Sequence, residues 1–272
     1  MSISYSRGLS VVPLMLALAM LSGCISATDE QSAAAKKPPS EQSKLMKIAR
    51  DIDARGESGT ALALYERAAE MSANDSTVHV KLGDARLKDG DPDGAEQAYR
   101  AALQINPQDA KALLGLGTVQ LQRGDANAAA RTLAPAAQAV NSVSAYNKLG
   151  TALVLSGDGA AAEGAFGKAL ALQPGNLDTK TNMALAQALS NKLPDASTSM
   201  NSVVTSPLAE KRHFVNYMII LSLSGDAAGA RAIDVPDMPA NQKNQILAKA
   251  AKLRSIQDPA KRAQAIGLLA SA

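Results

Sequence analysis

Tryptophan is absent from this sequence, and only two phenylalanines and five tyrosines stand among its 272 residues. Single-stranded nucleic acid is held largely by stacking on aromatic rings, so that ligand class loses its platform. Duplex nucleic acid fares no better. With 28 Lys and Arg against 25 Asp and Glu, the formal charge is only +3, and no basic block of the kind that tracks a phosphate backbone occurs. One cysteine cannot close an intramolecular disulfide. Two histidines, His79 and His213, and one cysteine do not make the paired spacing of a metal site, and neither a phosphate-cradling glycine loop nor a Gly-x-Ser-x-Gly elbow is present. His79 takes a position expected to pack in the core, and His213 has no neighbouring nucleophile. The expectation is a protein without catalytic residues, metal or cofactor, and therefore no enzyme. β-Branched and aromatic residues are few, while Ala and Leu dominate, which favours helix over strand.

The first forty residues differ from the rest. Residues 1–7 are polar with one positive side chain, Arg7, and an apolar run follows over 11–21, broken only by Pro13. A helix needs about 20 apolar residues to span a bilayer, so this run suits a signal peptide, residues 1–23. It ends in Leu21-Ser22-Gly23-Cys24, which resembles the lipobox of bacterial lipoproteins. That resemblance implies cleavage before Cys24, a diacylglyceryl group on its sulfur and acylation of the new amine. The covalent lipid on Cys24 would then anchor the chain in a membrane. Ile25, where an Asp would signal retention at the inner membrane, resembles an address for the outer membrane, facing the periplasm. Residues 24–41 are rich in Ser, Ala, Lys and Pro and read as a flexible tether, with an end-to-end distance of roughly 20–25 Å.

From there a period dominates. Gly56, Gly90, Gly124, Gly157, Asn191 and Gly225 are spaced by 34, 34, 33, 34 and 34 residues. Glycine, or less often asparagine, adopts the left-handed conformation that ends a helix. An acid follows most of them: Glu57, Asp91, Asp125, Asp158 and Asp226. Such a side chain accepts from the free N–H groups that open the next helix. Five residues past each turn stand Ala61, Ala95, Ala129, Ala162, Ala196 and Ala230. Ahead of the turns lie Ile48-Ala49, Leu82-Gly83, Leu116-Gly117, Leu149-Gly150 and Met183-Ala184. Beyond them lie Tyr65, Tyr99, Leu133, Phe166 and Met200. Each unit therefore has a large residue, a small one, a turn, a small one and a large one. Two antiparallel helices meet through those positions.

This pattern resembles the tetratricopeptide repeat. It implies an all-α, right-handed superhelical solenoid of about six helix pairs over residues 42–235, with C-terminal capping helices over 236–272. The units are 42–75, 76–109, 110–142, 143–176, 177–210 and a degraded 211–235, where Met218 and Asp234 replace the small and aromatic residues and Pro236 interrupts. Ile246, Ala250 and Leu253 share one face beyond Pro239, and Asp258-Pro259 opens a last helix bearing Ile266 and Leu269. These terminal helices are expected to cover the exposed end of the stack.

In that family the first helix of each pair lines the concave side. Mapped here, the ligand-facing stripe comprises Met46, Arg50, Val80, Asp84, Leu87, Leu114, Thr118, Leu121, Asn147, Thr151, Val154, Leu185, Val215 and Ile219. An apolar groove with polar punctuation suits an amphipathic helix or an extended peptide. The stretch from Ser206 to Tyr217, running into Leu223-Ser224-Gly225-Asp226, together with lipobox, tether and repeats, resembles the TadD family of lipoproteins of the tight-adherence (Flp) pilus system. That likeness implies a pilotin-like assembly factor whose protein partner is a secretin or another pilus component. A type IV pilotin, or an envelope adaptor gathering cell-wall hydrolases, keeps the same architecture with another client.

Overall fold

The computed structural model describes residues 40–270, with side chains through Gly267; the expected leader, Cys24 and nearly all of the tether lie outside the described residues, as does the side chain of Leu269. The described residues form fourteen α-helices and no strand. Six pairs come first: α1 (Glu41–Ala54) with α2 (Ser58–Met71), α3 (Ser76–Lys88) with α4 (Pro92–Ile105), α5 (Ala110–Gln122) with α6 (Ala126–Val140), α7 (Val143–Leu155) with α8 (Gly159–Leu172), α9 (Leu177–Leu189) with α10 (Leu193–Val204), and α11 (Lys211–Ser224) with the short α12 (Ala227–Ala232). Two further helices, α13 (Ala240–Leu253) and α14 (Pro259–Ala270), complete the chain.

Every expected turn residue has a positive φ, from 62° at Asn191 to 88° at Gly56 and Gly157. The residue after each donates its N–H back across the turn, as Asp91 does to the Arg86 carbonyl at 2.8 Å and Lys192 to Gln187 at 2.8 Å. This hydrogen bond satisfies a carbonyl that the helix end leaves unpaired. The acidic caps are present in part. Asp91, Asp158 and Asp226 accept from the N–H three residues on, at 2.7–3.0 Å, but Glu57 and Asp125 make no side-chain cap. A second series opens the first helices: Ser40, Asp75, Asp109, Ser142 and Asn176 each accept from a first-turn N–H.

Small residues receive large ones within each pair. The six alanines after the turns are fully buried, and Tyr65, Tyr99, Leu133, Phe166 and Met200 are each 2% exposed or less. A Cβ on Gly117 would lie 2.5 Å from Leu133, and one on Gly150 would lie 2.5 Å from Phe166. Tyr99 is enclosed from two units, because added Cβ atoms on Gly83 and Gly115 would both strike its ring. Burying such a side chain contributes about 1.5–3 kcal/mol. Ile48 departs from the pattern and stays 47% exposed.

Successive units are also linked by ion pairs. Lys88 meets Asp53 at 2.6 Å, Arg86 meets Glu66 at 3.1 Å, and Arg123 meets Glu96 and Asp93. His79 is not a core residue: its ring is half-buried and its Nε2 lies 3.2 Å from the Ala73 carbonyl, while Val78 and Val80 on either side fill the interior. His213 is buried, and both ring nitrogens are engaged. Nδ1 accepts from the Glu210 N–H at 2.8 Å, so the proton resides on Nε2, which donates to Asp178 at 3.1 Å. Arg212 donates to both oxygens of Asp178. The histidine therefore pins α11 to α9.

Burial pushes the Asp178 carboxyl up, but the hydrogen bonds from Arg212 and His213, together with the Arg212 charge, outweigh it and hold the carboxyl below its usual range. A depressed carboxylate stabilises the fold above its unfolded pKa, near 3.9, and stops doing so as pH falls through its folded value. Asp178→Asn is expected to cost about 0.5–1 kcal/mol at pH 7, since the side chain is 54% exposed and solvent screens it. Urea midpoints for the two proteins should converge as pH falls below the unfolded carboxylate pKa and through the lower folded one; a gap independent of pH contradicts this assignment.

Of the last two helices, α13 follows the expected end cap and α14 does not. α13 packs on α11, with Ile246, Ala250 and Leu253 buried, but α14 turns back along the stack and touches α7, α9 and α11. Buried from five directions by α9, α10, α12, α13 and α14, α11 has core residues on every face, from His213 to Leu223.

Candidate partner-binding groove

The first helices α3, α5, α7, α9 and α11 touch one another in succession and make one continuous face. Four residues of the expected stripe are absent from its surface. Val80 packs among Ala95, Tyr99 and Leu116, and Met46 among Ala49, Tyr65 and Leu82. Val215 and Ile219 belong to the core around α11. The physical reason is shared: the face of a first helix that turns toward the next unit lies close to the face that meets solvent, and in α11 the wrapping helices close both.

Others stay near the surface but are already engaged. Asp84 accepts from the Tyr99 hydroxyl at 2.9 Å and from Lys81 at 2.9 Å. Burial, then the charge and hydrogen bond of Asp84, push the Tyr99 hydroxyl far above its ordinary pKa, so it remains a donor. Leu87 packs beside Tyr99, and Leu114 and Leu121 support the cluster around Leu133. Thr118 Oγ1 donates to the Leu114 carbonyl at 2.7 Å. Arg50 is exposed on α1.

The remaining four, Asn147, Thr151, Val154 and Leu185, border two recesses whose walls share Thr151. The open one, of about 510 Å³, is lined by Leu121, Val143, Ser144, Asn147, Lys148, Thr151 and Asn176. Sequence reasoning missed Val143, Ser144, Lys148 and Asn176; their signal was position, since three lie within one helical turn of Asn147 and the fourth caps the next first helix. Burial lowers the Lys148 ammonium from its ordinary pKa. Asn147 Nδ2 donates to Thr179 at 2.8 Å, and its Oδ1 is buried without a protein partner. Past Thr151 the second recess, about 240 Å³, runs between Val154, Phe166, Leu185, Leu189 and Asn216 on one side and Ala263, Ile266 and Gly267 of α14 on the other. Asn216 Oδ1 is likewise buried and unmatched. Leaving a buried acceptor unmatched costs about 1–3 kcal/mol. Recess walls that mix apolar and polar side chains suit a polypeptide that presents apolar anchors.

Among the described residues, no group of three His, Cys, Asp or Glu side chains is placed to hold a metal ion. No described helix is long and apolar enough to cross a membrane. The expected lipidation site, Cys24, lies outside the described residues.

The architecture is that of a tetratricopeptide-repeat solenoid, and comparisons with known proteins agree. The model of the cilia and flagella-associated protein 70 middle TPR-like domain matches residues 45–148. A tetratricopeptide repeat protein from Parabacteroides merdae superposes with a TM-score of 0.64 at 15% identity, covering 85% of this chain and 92% of its own. PilF of Pseudomonas aeruginosa gives 0.57 at 17% identity, covering 71% of this chain and 88% of its own. MamA from Desulfovibrio magneticus gives 0.56 at 22% identity, covering 61% and 94% respectively. At such identities the likeness is one of fold. No curated protein sequence matches the chain.

Proposed function

We propose that this chain is a lipid-anchored adaptor of the cell envelope that acts as an assembly factor for the tight-adherence pilus. In this reading the lipid on Cys24 holds it at the periplasmic face of the outer membrane, and the first-helix face captures a segment of a secretin or another assembly component. The observation that carries the binding half is the pair of recesses on the continuous first-helix face, whose walls share Thr151. Support for the client is the lipobox, the tether and the local stretch from Ser206 to Asp226. Anchoring raises the local concentration of adaptor around a membrane-bound client, so modest groove affinity suffices.

The binding half is tested by Thr151→Arg. This residue is half-buried in the walls of both recesses, and the longer cation obstructs both without removing a core contact. Capture of the secretin from solubilised membranes is expected to fall at least tenfold while the melting curve stays within a few degrees; undiminished capture removes the groove from the reading. Leu114→Asp is a poor probe, because Leu114 supports two core clusters and its loss disturbs the fold. The client half is tested in a deletion strain. Loss of secretin multimers and pili supports it, and normal multimers with normal pili refute it.

A further inference from the structure

Helix α14 occupies the face that the proposed partner needs. After α13 has closed the end of the stack, residues 254–258 reverse the chain and α14 seats on α7, α9 and α11. Its first turn abuts the Gly157 turn, where a Cβ would lie 3.6 Å from that of Ala260. Asp258 caps its start, accepting from the Lys261 N–H at 3.1 Å. Among its described side chains, Ala263 and Ile266 seat deeply, each 3% exposed. Ile266 joins the apolar cluster of α9, α10, α11 and α13.

The fit is incomplete. A recess of about 240 Å³ persists beneath the helix. Ala263 and Gly267, one helical turn apart, stand over it where larger side chains would fill it. A Cβ at Gly267 would meet nothing within 4 Å. α13 behaves otherwise, closing on the core with Ile246 and Leu253.

We propose that α14 is the chain's own stand-in for a partner helix, displaced when an amphipathic helix bearing large apolar residues at the places of Ala263 and Gly267 enters the face. This rests on the groove reading above and specifies the partner as a helix with apolar anchors spaced by four residues. The short link to α13 gives α14 a high effective concentration, so a helix that leaves this recess open holds the face closed until one that fills it competes. Complementary packing rewards the larger side chains, because the recess already exists.

The test uses two fluorescent synthetic peptides, one with the sequence of residues 256–272 and one carrying Ala263→Leu and Gly267→Leu. They are titrated by anisotropy into the detergent-solubilised full chain and into its Ile266→Glu variant, which releases α14. The native peptide is expected to bind the variant at least tenfold more tightly than the unaltered chain. The leucine peptide is expected to bind the variant at least tenfold more tightly than the native peptide does. Equal affinities for the two proteins, or no gain from the leucines, overturn the proposal. If Ile266→Glu loses its helical circular dichroism, a full chain carrying Ala263→Leu and Gly267→Leu decides. That chain pins α14 and is expected to melt higher and to bind the leucine peptide at least tenfold less than the unaltered chain; equal binding overturns the proposal. Secretin capture is a separate measurement, so a failed stand-in leaves the adaptor reading standing, and failed capture leaves the displacement result interpretable.

Discussion

Phe166→Ala is expected to remove about 3–5 kcal/mol of stability, the largest loss from any single truncation in the middle of the stack. Its ring is 1% exposed on α8 and rests against the bare backbone of Gly150 on α7. The same ring joins Ala162, Ala186, Leu153, Val154 and Met183, so it binds its own unit to the next. Truncation forfeits the transfer energy of the ring and leaves a cavity between two rigid helices that collapse poorly. In a solenoid, stability is a sum of unit terms and neighbour terms. Losing a residue that serves both is therefore expected to split the transition, with the units on either side melting separately. Urea titration followed by circular dichroism measures this. Leu172→Ala is the control: it lies on the same helix but is 45% exposed, and its effect is expected within about 0.5 kcal/mol. A loss below about 1 kcal/mol for Phe166→Ala would contradict the paired small-and-large packing.

The turns were legible in the sequence because their geometry restricts residue type. A left-handed backbone admits glycine or asparagine at little cost, so Gly56 through Gly225 mark each unit without reference to the rest of the chain. The buried alanines and their large partners were legible for a similar reason, since one side of each contact must be small. The first-helix caps were present but unread: Ser40, Asp75, Asp109, Ser142 and Asn176 follow the same period as the turns. What local pattern does not encode is which neighbour covers a given helical face. Val80 and Asp84 sit one turn apart on α3, yet Val80 is buried against Tyr99 while Asp84 faces outward and holds its hydroxyl. Val215 and Ile219 fit a groove-facing stripe until α13 and α14 enclose α11. The path of α14 depends on contacts more than a hundred residues apart in sequence, between Ala260 and Gly157 for example. No window of periodicity reaches that far. Within the expected stripe, Asn147, Thr151, Val154 and Leu185 therefore border recesses, while Met46, Val80, Val215 and Ile219 are buried in the core.

Cys24→Ser is expected to abolish incorporation of a palmitate analogue and to detach the repeat domain from the outer membrane fraction. The lone cysteine stands directly after Leu21-Ser22-Gly23, where a lipobox places its lipid acceptor. A serine oxygen does not replace the thiolate nucleophile at the lipid-transfer step, so neither the thioether-linked lipid nor the cleavage that depends on it would follow. The energetic consequence is large. Each buried methylene contributes about 0.8 kcal/mol, one acyl chain alone binds only marginally, and two or more hold firmly. Without them nothing among the described helices substitutes, because none is long and apolar enough to span the bilayer. The unmodified protein would retain its uncleaved leader, so membrane residence alone is an ambiguous readout. Label incorporation and the mass of the mature N-terminus are the decisive ones. If the serine variant carries label, or the unaltered chain carries none, the anchor fails. The repeat face would then need to reach its client by diffusion, and the affinity required of the groove would rise by the effective concentration that tethering supplies.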